Sequence, residues 1–432
     1  MGSEGLASRR AAYRVLRRVH TDGAWSTPAV DAAIGRLGPR DRAFAANLAY
    51  ETLRWEGTLD WALGHVLSRP SIDEDVRDVL RLGAWQLAYG ATPAHAAVAT
   101  SVDLARAEVG AKVTGFVNGV LRALARRWDA LPWPDEATSE GLGLATGYAP
   151  WIVAEARARF GGQARDVLEA GNVAPGVTLR ARGDAEALAA ELTAVGLTPT
   201  RGALSPSALR VPGADPGALA AVAEGRATVA DEASIVVAEA AAAAAGPGGR
   251  LLDACAGPGG KACHAADLGA RVVAADLHEH RARRVAELAA TLGLDVPVAV
   301  ADGTAPPWPP GGVDAVLLDA PCTGLGVVRR RPELRWRRTA GDPAALAATQ
   351  RALLAAAADL PRAGGALVYA ACTWTVAETT AVVGSFLARR PDYAAEEAAV
   401  AVGTALPDGP GRLLRPDRDG TDGMYLVVLR RS

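Results

Sequence analysis

Lysine is almost missing from this 432-residue chain: it occurs only at positions 112 and 261, so nearly every cation is arginine. Cysteine is scarce too, with four in all, which excludes a disulfide framework and implies reduced thiols. Half the residues are hydrophobic, yet no apolar stretch reaches the ~18 uncharged residues expected of a spanning helix. The alanine run 240–245 is too short and too weakly apolar to count. The opening MGSEGLASRR lacks the apolar segment of a signal peptide, and Leu6 stands where a myristoylation signal wants Ser or Thr. A cytoplasmic protein is therefore expected. A net charge of −2 excludes an overall basic surface, so any nucleic acid must be met by local patches.

What the chain does have is organised in three textures. Residues 6–128 carry apolar residues at three- and four-residue spacing, as in SRRAAYRVLRRVH and DEDVRDVLRLGAWQLAYG, and predict an all-α bundle. Short breaks such as SRPSI and GATPA separate these helices. The stretch LPWPDEATSEGLG is rich in proline, glycine and acids and suits a linker at 131–145. From 146 to 235 helical runs alternate with short strand candidates, GVTLRARG and ALRVPG, which predicts a small α/β subdomain of RRM-like type. From 236 to 432 strand and helix alternate regularly, which implies a mostly parallel sheet covered on both faces. The closing GTDGMYLVVLRR fits a late antiparallel strand. There are no internal repeats.

In open α/β sheets, chemistry sits outside the carboxyl ends of the strands. LLDAPCTG and LVYAACTW each put a cysteine there, Cys322 and Cys372. A third strand, RLLDACAGPGGK, ends in a glycine-rich turn over Cys255, Ala256, Gly257, Pro258, Gly259 and Gly260, followed by Lys261. Such a turn lets backbone approach a nucleotide-like ligand. It is not the GxGxxG of dinucleotide dehydrogenases. Asp276 ends the next strand, 23 residues after Asp253, close to the ~20-residue offset at which an acid meets a ribose hydroxyl. Asp302 ends the following strand, where it could face an adenine edge. A glycine turn and two acids in this order fit S-adenosylmethionine, which needs no pyrophosphate cradle. Two thiols beside such a site read as a nucleotide-cofactor enzyme that uses a thiolate. Cys263 and its neighbour His264 lack the CxxC spacing of a metal site.

The motifs DACAGPGGK (253–261), DAPCTGLGVVRRRPELRW (319–336), YAACT (369–373) and TDGMYLVVLRR (421–431) closely resemble the RsmB/NOP family of RNA cytosine-5 methyltransferases. DRAFAANLAYETLR, VLRLGAWQLAYG, PAHAAVATSVDLAR and GFVNGVLRAL are similar to the NusB-like RNA-binding domain of its bacterial small-subunit ribosomal RNA member. The resemblance implies a Rossmann-like methyltransferase domain at 236–432, with a seven-stranded sheet, and a NusB-like bundle at 1–130. Departures from the family pattern fall at Gly257 (usually alanine), Ala262 (threonine), Ala371 to Thr373 (Thr-Cys-Ser), Thr379 (asparagine), Ala230 (glutamine) and Arg182 (asparagine).

Carbon 5 of cytosine is a poor nucleophile until a thiolate adds to carbon 6, which divides one hard step into two easier ones. An unperturbed cysteine, with pKa ~8.5, is only a few per cent ionised at neutral pH, so the attacking sulfur needs help from its surroundings. The Pro-Cys dipeptide at 321–322 is where DNA cytosine-5 enzymes carry their nucleophile. The resemblance implies instead that Cys372 attacks, that Cys322 assists release, and that Asp319 holds the base edge, besides lying beside the cofactor. RRRPELRWRR packs six arginines and a tryptophan into ten residues. Its position after DAPC suggests that Arg329, Arg330, Arg331, Arg335 and Trp336 contact RNA, forks on phosphate and a ring on a splayed base. Arg9, Arg10, Arg14, Arg17 and Arg18 form a second basic cluster. The partner expected is small-subunit (16S) ribosomal RNA, with no membrane, no metal and a monomeric state. Rivals are the same chemistry on another RNA such as transfer RNA, a non-catalytic RNA-binding assembly factor, and a DNA cytosine-5 enzyme.

Overall fold

The computed structural model describes residues 5–68, 71–396 and 400–432. The first residues of the chain and part of the SRPSI break fall outside them. The described residues divide into two compact units: residues up to Asn172 together with Val328–Ala340, and Val173–Val327 together with Gly341–Ser432.

The first unit is all-helical. Its helices are α1 (Leu6–Thr21), α2 (Ser26–Ile34), α3 (Pro39–Arg54), α4 (Glu56–Gly64), α5 (Glu74–Ala88), α6 (Ala94–Glu108), α7 (Thr114–Arg127), α8 (Ser139–Thr146), α9 (Pro150–Phe160) and α10 (Ala164–Ala170). Apolar stripes at helical spacing close one core, with Leu16, Leu48, Leu53, Leu80, Leu121 and Leu124 fully buried. Two boundaries differ from the expectation. The 131–145 stretch is no linker: Leu131 is buried, Trp133 stacks on Trp61 with ring centres 4.6 Å apart, and α8 begins at Ser139, capped by the Thr138 hydroxyl. The helical unit also runs to Asn172, so the α/β texture begins about 27 residues later than expected. Proline, glycine and acids there serve helix caps and turns rather than a flexible tether.

The second unit holds two sheets. Strands β1 (Val177–Ala181), β2 (Thr200–Arg201), β3 (Ala208–Val211) and β4 (Ala227–Val229) pair antiparallel in the order β2-β3-β1-β4. With α11 (Ala185–Ala194) and α12 (Ala220–Ala223) interposed, the chain order is β-α-β-β-α-β, the split βαβ arrangement. The larger sheet contains β5 (Arg250–Asp253), β6 (Arg271–Asp276), β7 (Val298–Val300), β8 (Val313–Asp319), β9 (Pro361–Ala371), β10 (Tyr393–Ala395), β11 (Thr404–Ala405), β12 (Arg412–Leu414) and β13 (Met424–Arg431). Its order is β11-β12-β13-β9-β8-β5-β6-β7, with β10 also on β13. Strands β5 to β9 pair in parallel, and β13 runs antiparallel to β9. Seven of these strands are the expected Rossmann-like methyltransferase sheet; β11 and β12 are a short antiparallel extension at its edge.

Central strands covered on both faces read as continuous apolar runs. LVYAA in β9 and MYLVVL in β13 are accordingly buried at every position. The alanine run 240–245 lies in α13 (Glu232–Ala245), whose small side chains let it pack closely on the sheet. The small sheet is clamped to α14 (Gly260–Asp267) by two arginines, Arg180 in β1 and Arg182 just beyond its end. Arg180 Nη1 donates to Asp267 Oδ2 at 2.7 Å, and Arg182 grips both Asp267 oxygens at 2.8 and 2.7 Å while capping the Gly225 and Leu292 carbonyls. This fork explains why arginine, not asparagine, stands at 182. No helix among the described residues is long and apolar enough to cross a membrane.

Candidate active site

Every expected cofactor residue stands at the carboxyl edge of the parallel strands. Leaving β5, the chain turns at Gly259, whose φ of +109° favours glycine, and whose missing Cβ lets Val285 of α15 (Glu279–Thr291) approach. Gly257 donates its N–H to Asp276 Oδ2 at 3.1 Å; a Cβ there would lie 2.6 Å from that oxygen and 2.7 Å from Arg281 Cβ. An alanine at 257 would therefore require Asp276 or Arg281 to move. Asp276 is buried and also accepts from the His278 N–H at 2.9 Å. The Ala301 N–H reaches the Asp276 carbonyl, which sets Asp302 beside it. Asp302 is exposed and accepts from the Thr304 hydroxyl and N–H, which lower its pKa.

A cavity of 350 Å³ is lined by Asp253, Cys255 to Pro258, Gly260, Lys261 and Asp319, and continues to Arg180 of β1 and to β4 with the two residues after it, Ala230 and Asp231. Asp253 is 1% exposed, and its Oδ2 has no hydrogen-bond partner. Burial, then the Asp319 charge, pushes Asp253 up to about 7. A buried carboxyl oxygen left unpaired beside a glycine turn fits the ammonium of an aminoacyl group, so the residues present suit S-adenosylmethionine. Asp253 was missed as a cofactor residue by sequence reasoning; its place at the end of β5, one residue before the turn, is the signal that could have found it. Lys261 Nζ donates to Asp319 Oδ2 at 2.7 Å. Burial lowers the Lys261 pKa, but Asp319, with Cys372 and Asp253, outweighs it and leaves a firmly charged ammonium. Burial and the surrounding acids push the Cys255 thiol up, so it stays protonated.

Cys322 leaves β8 and Cys372 leaves β9, two strands that pair in parallel, with Asp319 opposite Ala370. Their sulfurs are 3.2 Å apart, and both residues are half-buried. Contact with Cys372, burial, and the charges of Glu378 and Asp319 raise the Cys322 pKa well above the ordinary thiol value. The protonated thiol is therefore favoured at Cys322. Two thiols so placed, on adjacent strand ends and in contact with each other, can act on one substrate.

The expected RNA-reading segment is placed otherwise, and this corrects part of the expectation. Arg335 is fully buried in the helical unit: it donates to the Gly147 carbonyl at 3.0 Å, Asn172 Oδ1 at 2.6 Å and the Gly171 carbonyl at 2.8 Å, and lies 3.8 Å over the Tyr148 ring. Trp336 Nε1 donates to the Leu53 carbonyl at 2.7 Å, and its ring packs against Gly57. A planar guanidinium suits a fan of carbonyls as well as a phosphate. The side chain of Arg329 is buried and Arg330 half-buried; Arg331 is exposed, over Trp25. In α1, Arg9 is buried against Gln86, and Arg17 is paired with Asp75 and Asp78. Arg10, Arg14 and Arg18 instead line one groove with Arg36.

A Rossmann-like sheet, a glycine turn that fits an aminoacyl nucleoside and strand-end acids define a class I methyltransferase, with S-adenosylmethionine as its cofactor. Residues 241–430 match the family of 16S rRNA methyltransferases RsmB/F, and residues 6–126 match the NusB family. The chain is 42% identical to the putative methyltransferase Rv1407 of Mycobacterium tuberculosis, covering 98% of this chain and 96% of that one. It is 34% identical to ribosomal RNA small subunit methyltransferase B of Pseudomonas putida, over 98% of each. Among solved structures, PH0851 superposes with a TM-score of 0.84 at 22% identity, covering 99% of this chain and 98% of that one. NSun6 of Pyrococcus horikoshii, solved with SFG, gives 0.56 at 21% identity, over 65% of this chain and 97% of that one. The chain belongs to the RsmB/F methyltransferase family.

Proposed function

We propose that this protein methylates carbon 5 of a cytosine in 16S ribosomal RNA, with Cys372 as nucleophile and Cys322 as the thiol that assists release. The observation that carries the reading is the sulfur pair, 3.2 Å apart at the mouths of adjacent parallel strands. S-adenosylmethionine supplies an electrophilic methyl group when bound. Asp253, the 255–260 turn, Asp276 and Asp302 would hold it.

Cys372 Sγ forms a bond to carbon 6 of the unstacked base, and the ring electron pair moves to carbon 5. Asp319, with Lys261 beside it, hydrogen-bonds the base edge and supports a proton at N3. The raised pKa of Cys322 favours its protonated thiol, which suits it to the second, releasing role. Once carbon 5 carries the methyl group, its proton must leave so that the carbon–sulfur bond can break and return the electron pair to Cys372. Solvent water takes the carbon 5 proton, the carbon 5–hydrogen electron pair restores the ring double bond, and Cys322, in contact with the departing sulfur, gives that sulfur a proton as the bond breaks.

Support for an RNA partner comes from the groove of Arg10, Arg14, Arg18 and Arg36, a local basic patch on a chain of net charge −2. The test is a pair of variants assayed with small-subunit RNA. Cys372→Ala abolishes methyl transfer, and Cys322→Ala accumulates an RNA adduct that persists in a denaturing gel. Reversed outcomes exchange the two roles; loss of neither activity nor release sinks the mechanism. Bisulfite sequencing of ribosomal and transfer RNA from a deletion strain separates the substrates.

A further inference from the structure

Behind the two sulfurs lies a carboxylate that neither the cofactor site nor the nucleophilic step uses. Glu378 is 0% exposed. Its Oε1 accepts from the Thr323 N–H at 2.7 Å and from Gln350 Nε2 at 3.3 Å. Its Oε2 accepts from the hydroxyls of Thr323 at 2.6 Å, Thr375 at 2.8 Å and Thr373 at 3.3 Å. Thr323 directly follows Cys322, and Thr373 directly follows Cys372. The two threonine hydroxyls also meet each other at 2.9 Å. One side chain therefore holds the residue after each cysteine.

All five of these groups can donate to Glu378, and a carboxylate, an acceptor with about four lone-pair sites, suits such a set. The ties around it strengthen the same joint. The Gly326 N–H donates to the Cys372 carbonyl at 3.0 Å, and Gln350 Nε2 also donates to the Pro321 carbonyl at 2.9 Å. Tyr369, on the strand that leads to Cys372, donates its hydroxyl to the Glu378 carbonyl at 2.7 Å. A buried anion of this kind is costly unless its hydrogen bonds are complete. The cost is met here by five donors drawn from three segments.

We propose that Glu378 is the positioning residue of the thiol pair: it locks the two cysteine-bearing loops to each other and thereby fixes the distance between Cys322 and Cys372. This rests on the reading that those sulfurs are the reacting groups. Its charge also reaches Cys322, where it favours the protonated thiol. Glu378 touches neither base nor methyl donor, so its effect passes wholly through the cysteines.

The test joins kinetics to a chemical ruler. Phenylarsine oxide condenses with two close thiols to give a cyclic dithioarsenite and one water, and capture at Cys322 and Cys372 is read by mass spectrometry of the full-length protein. Glu378→Gln replaces an acceptor by a donor among donors. The expected result is a kcat about a hundredfold lower, as for an ångström-scale misplacement, with unchanged KM for S-adenosylmethionine and capture slowed by a similar factor. Wild-type capture with wild-type kcat overturns the proposal, and so does loss of only one of the two. If Glu378→Gln does not fold, Thr323→Val removes the shared hydroxyl and must move both readouts in the same direction, or the proposal falls. A wild-type protein that captures the arsenical yet transfers no methyl group refutes the functional reading, and the capture ratio alone then decides the role of Glu378.

Discussion

Lys261 Nζ lies 2.7 Å from Asp319 Oδ2, so one of the chain's two lysines is joined to the acid that ends β8, three residues before Cys322. The pair sits in the cavity wall beside Asp253, a carboxyl raised to about 7 by burial and by Asp319. The lysine thus lies beside two neighbouring acids. Replacing Asp319 by asparagine keeps the shape and removes the charge. Asp319→Asn is expected to lower kcat about a hundredfold or more, in the range of a lost acid–base group, while S-adenosylmethionine binding measured by calorimetry changes little. An unchanged kcat in a methyl-transfer assay would remove Asp319 from the chemistry.

Arg335 gives a prediction of the opposite kind. Its guanidinium is buried and closes the carbonyls of Gly147 and Gly171 around Tyr148. Arg335→Ala leaves those buried acceptors unpaired and opens a space over the ring, which costs about 3 kcal/mol or more. A several-degree fall in melting temperature is expected, with the salt dependence of RNA binding unchanged. A normal melting temperature with weakened RNA binding would restore the residue to the RNA surface.

The contrast between those two residues shows what could be read from the sequence. The glycine turn, the acids at 276, 302 and 319 and both cysteines were legible because each is fixed by its own strand and the turn that follows it. The sheet was legible for the same reason, since LLDA and LVYAA carry their burial in their composition. Arg335 and Trp336 were not, because arginine-rich sequence is the same whether the partner is a phosphate or a ring of helix-end carbonyls, and only tertiary packing chooses between them. Helix α8 was hidden by proline and glycine that serve as caps and turns, whereas PWIVAEARARF of α9 was legible as a helix but was placed with the α/β texture that follows it. Glu378 lies six residues past Cys372 and looks like any helix-start acid. Its one signal is the set of threonines at 323, 373 and 375, which need an acceptor only once the two loops meet.

The groove of Arg10, Arg14, Arg18 and Arg36 separates the arginines of α1 by task. Arg9 and Arg17 are committed inside the bundle, whereas Arg14 is 60% exposed and Arg18 and Arg36 are exposed. Phosphate contacts release counterions, so each one lost reduces the slope of log affinity against log salt by about 0.7 to 0.9. Arg14→Ala, Arg18→Ala and Arg36→Ala are each expected to lower that slope by close to one, with kcat at saturating RNA unchanged. Filter binding at several salt concentrations measures it. A slope that stays constant in the triple variant moves the RNA footprint off this groove.

His20 carries the clearest pH dependence in the helical unit. Nδ1 lies 2.8 Å from Asp78 Oδ1 and Nε2 3.1 Å from Glu56 Oε2, with Arg81 and Arg17 bound to the same acids. Burial lowers the imidazole pKa, but hydrogen bonds to both carboxylates and their charges outweigh it and raise the value to about 9. The folded pKa is thus above the unfolded value of ~6.5. A group shifted this way contributes its full stability below ~6.5, and the contribution disappears as pH rises through about 9. Melting temperature should therefore fall between pH 7 and pH 9.5 in the wild-type protein. His20→Gln cannot take up the proton and should show a lower melting temperature at pH 6.5 with a shallower decline. Parallel curves for the two proteins would show that His20 is not protonated in the folded bundle.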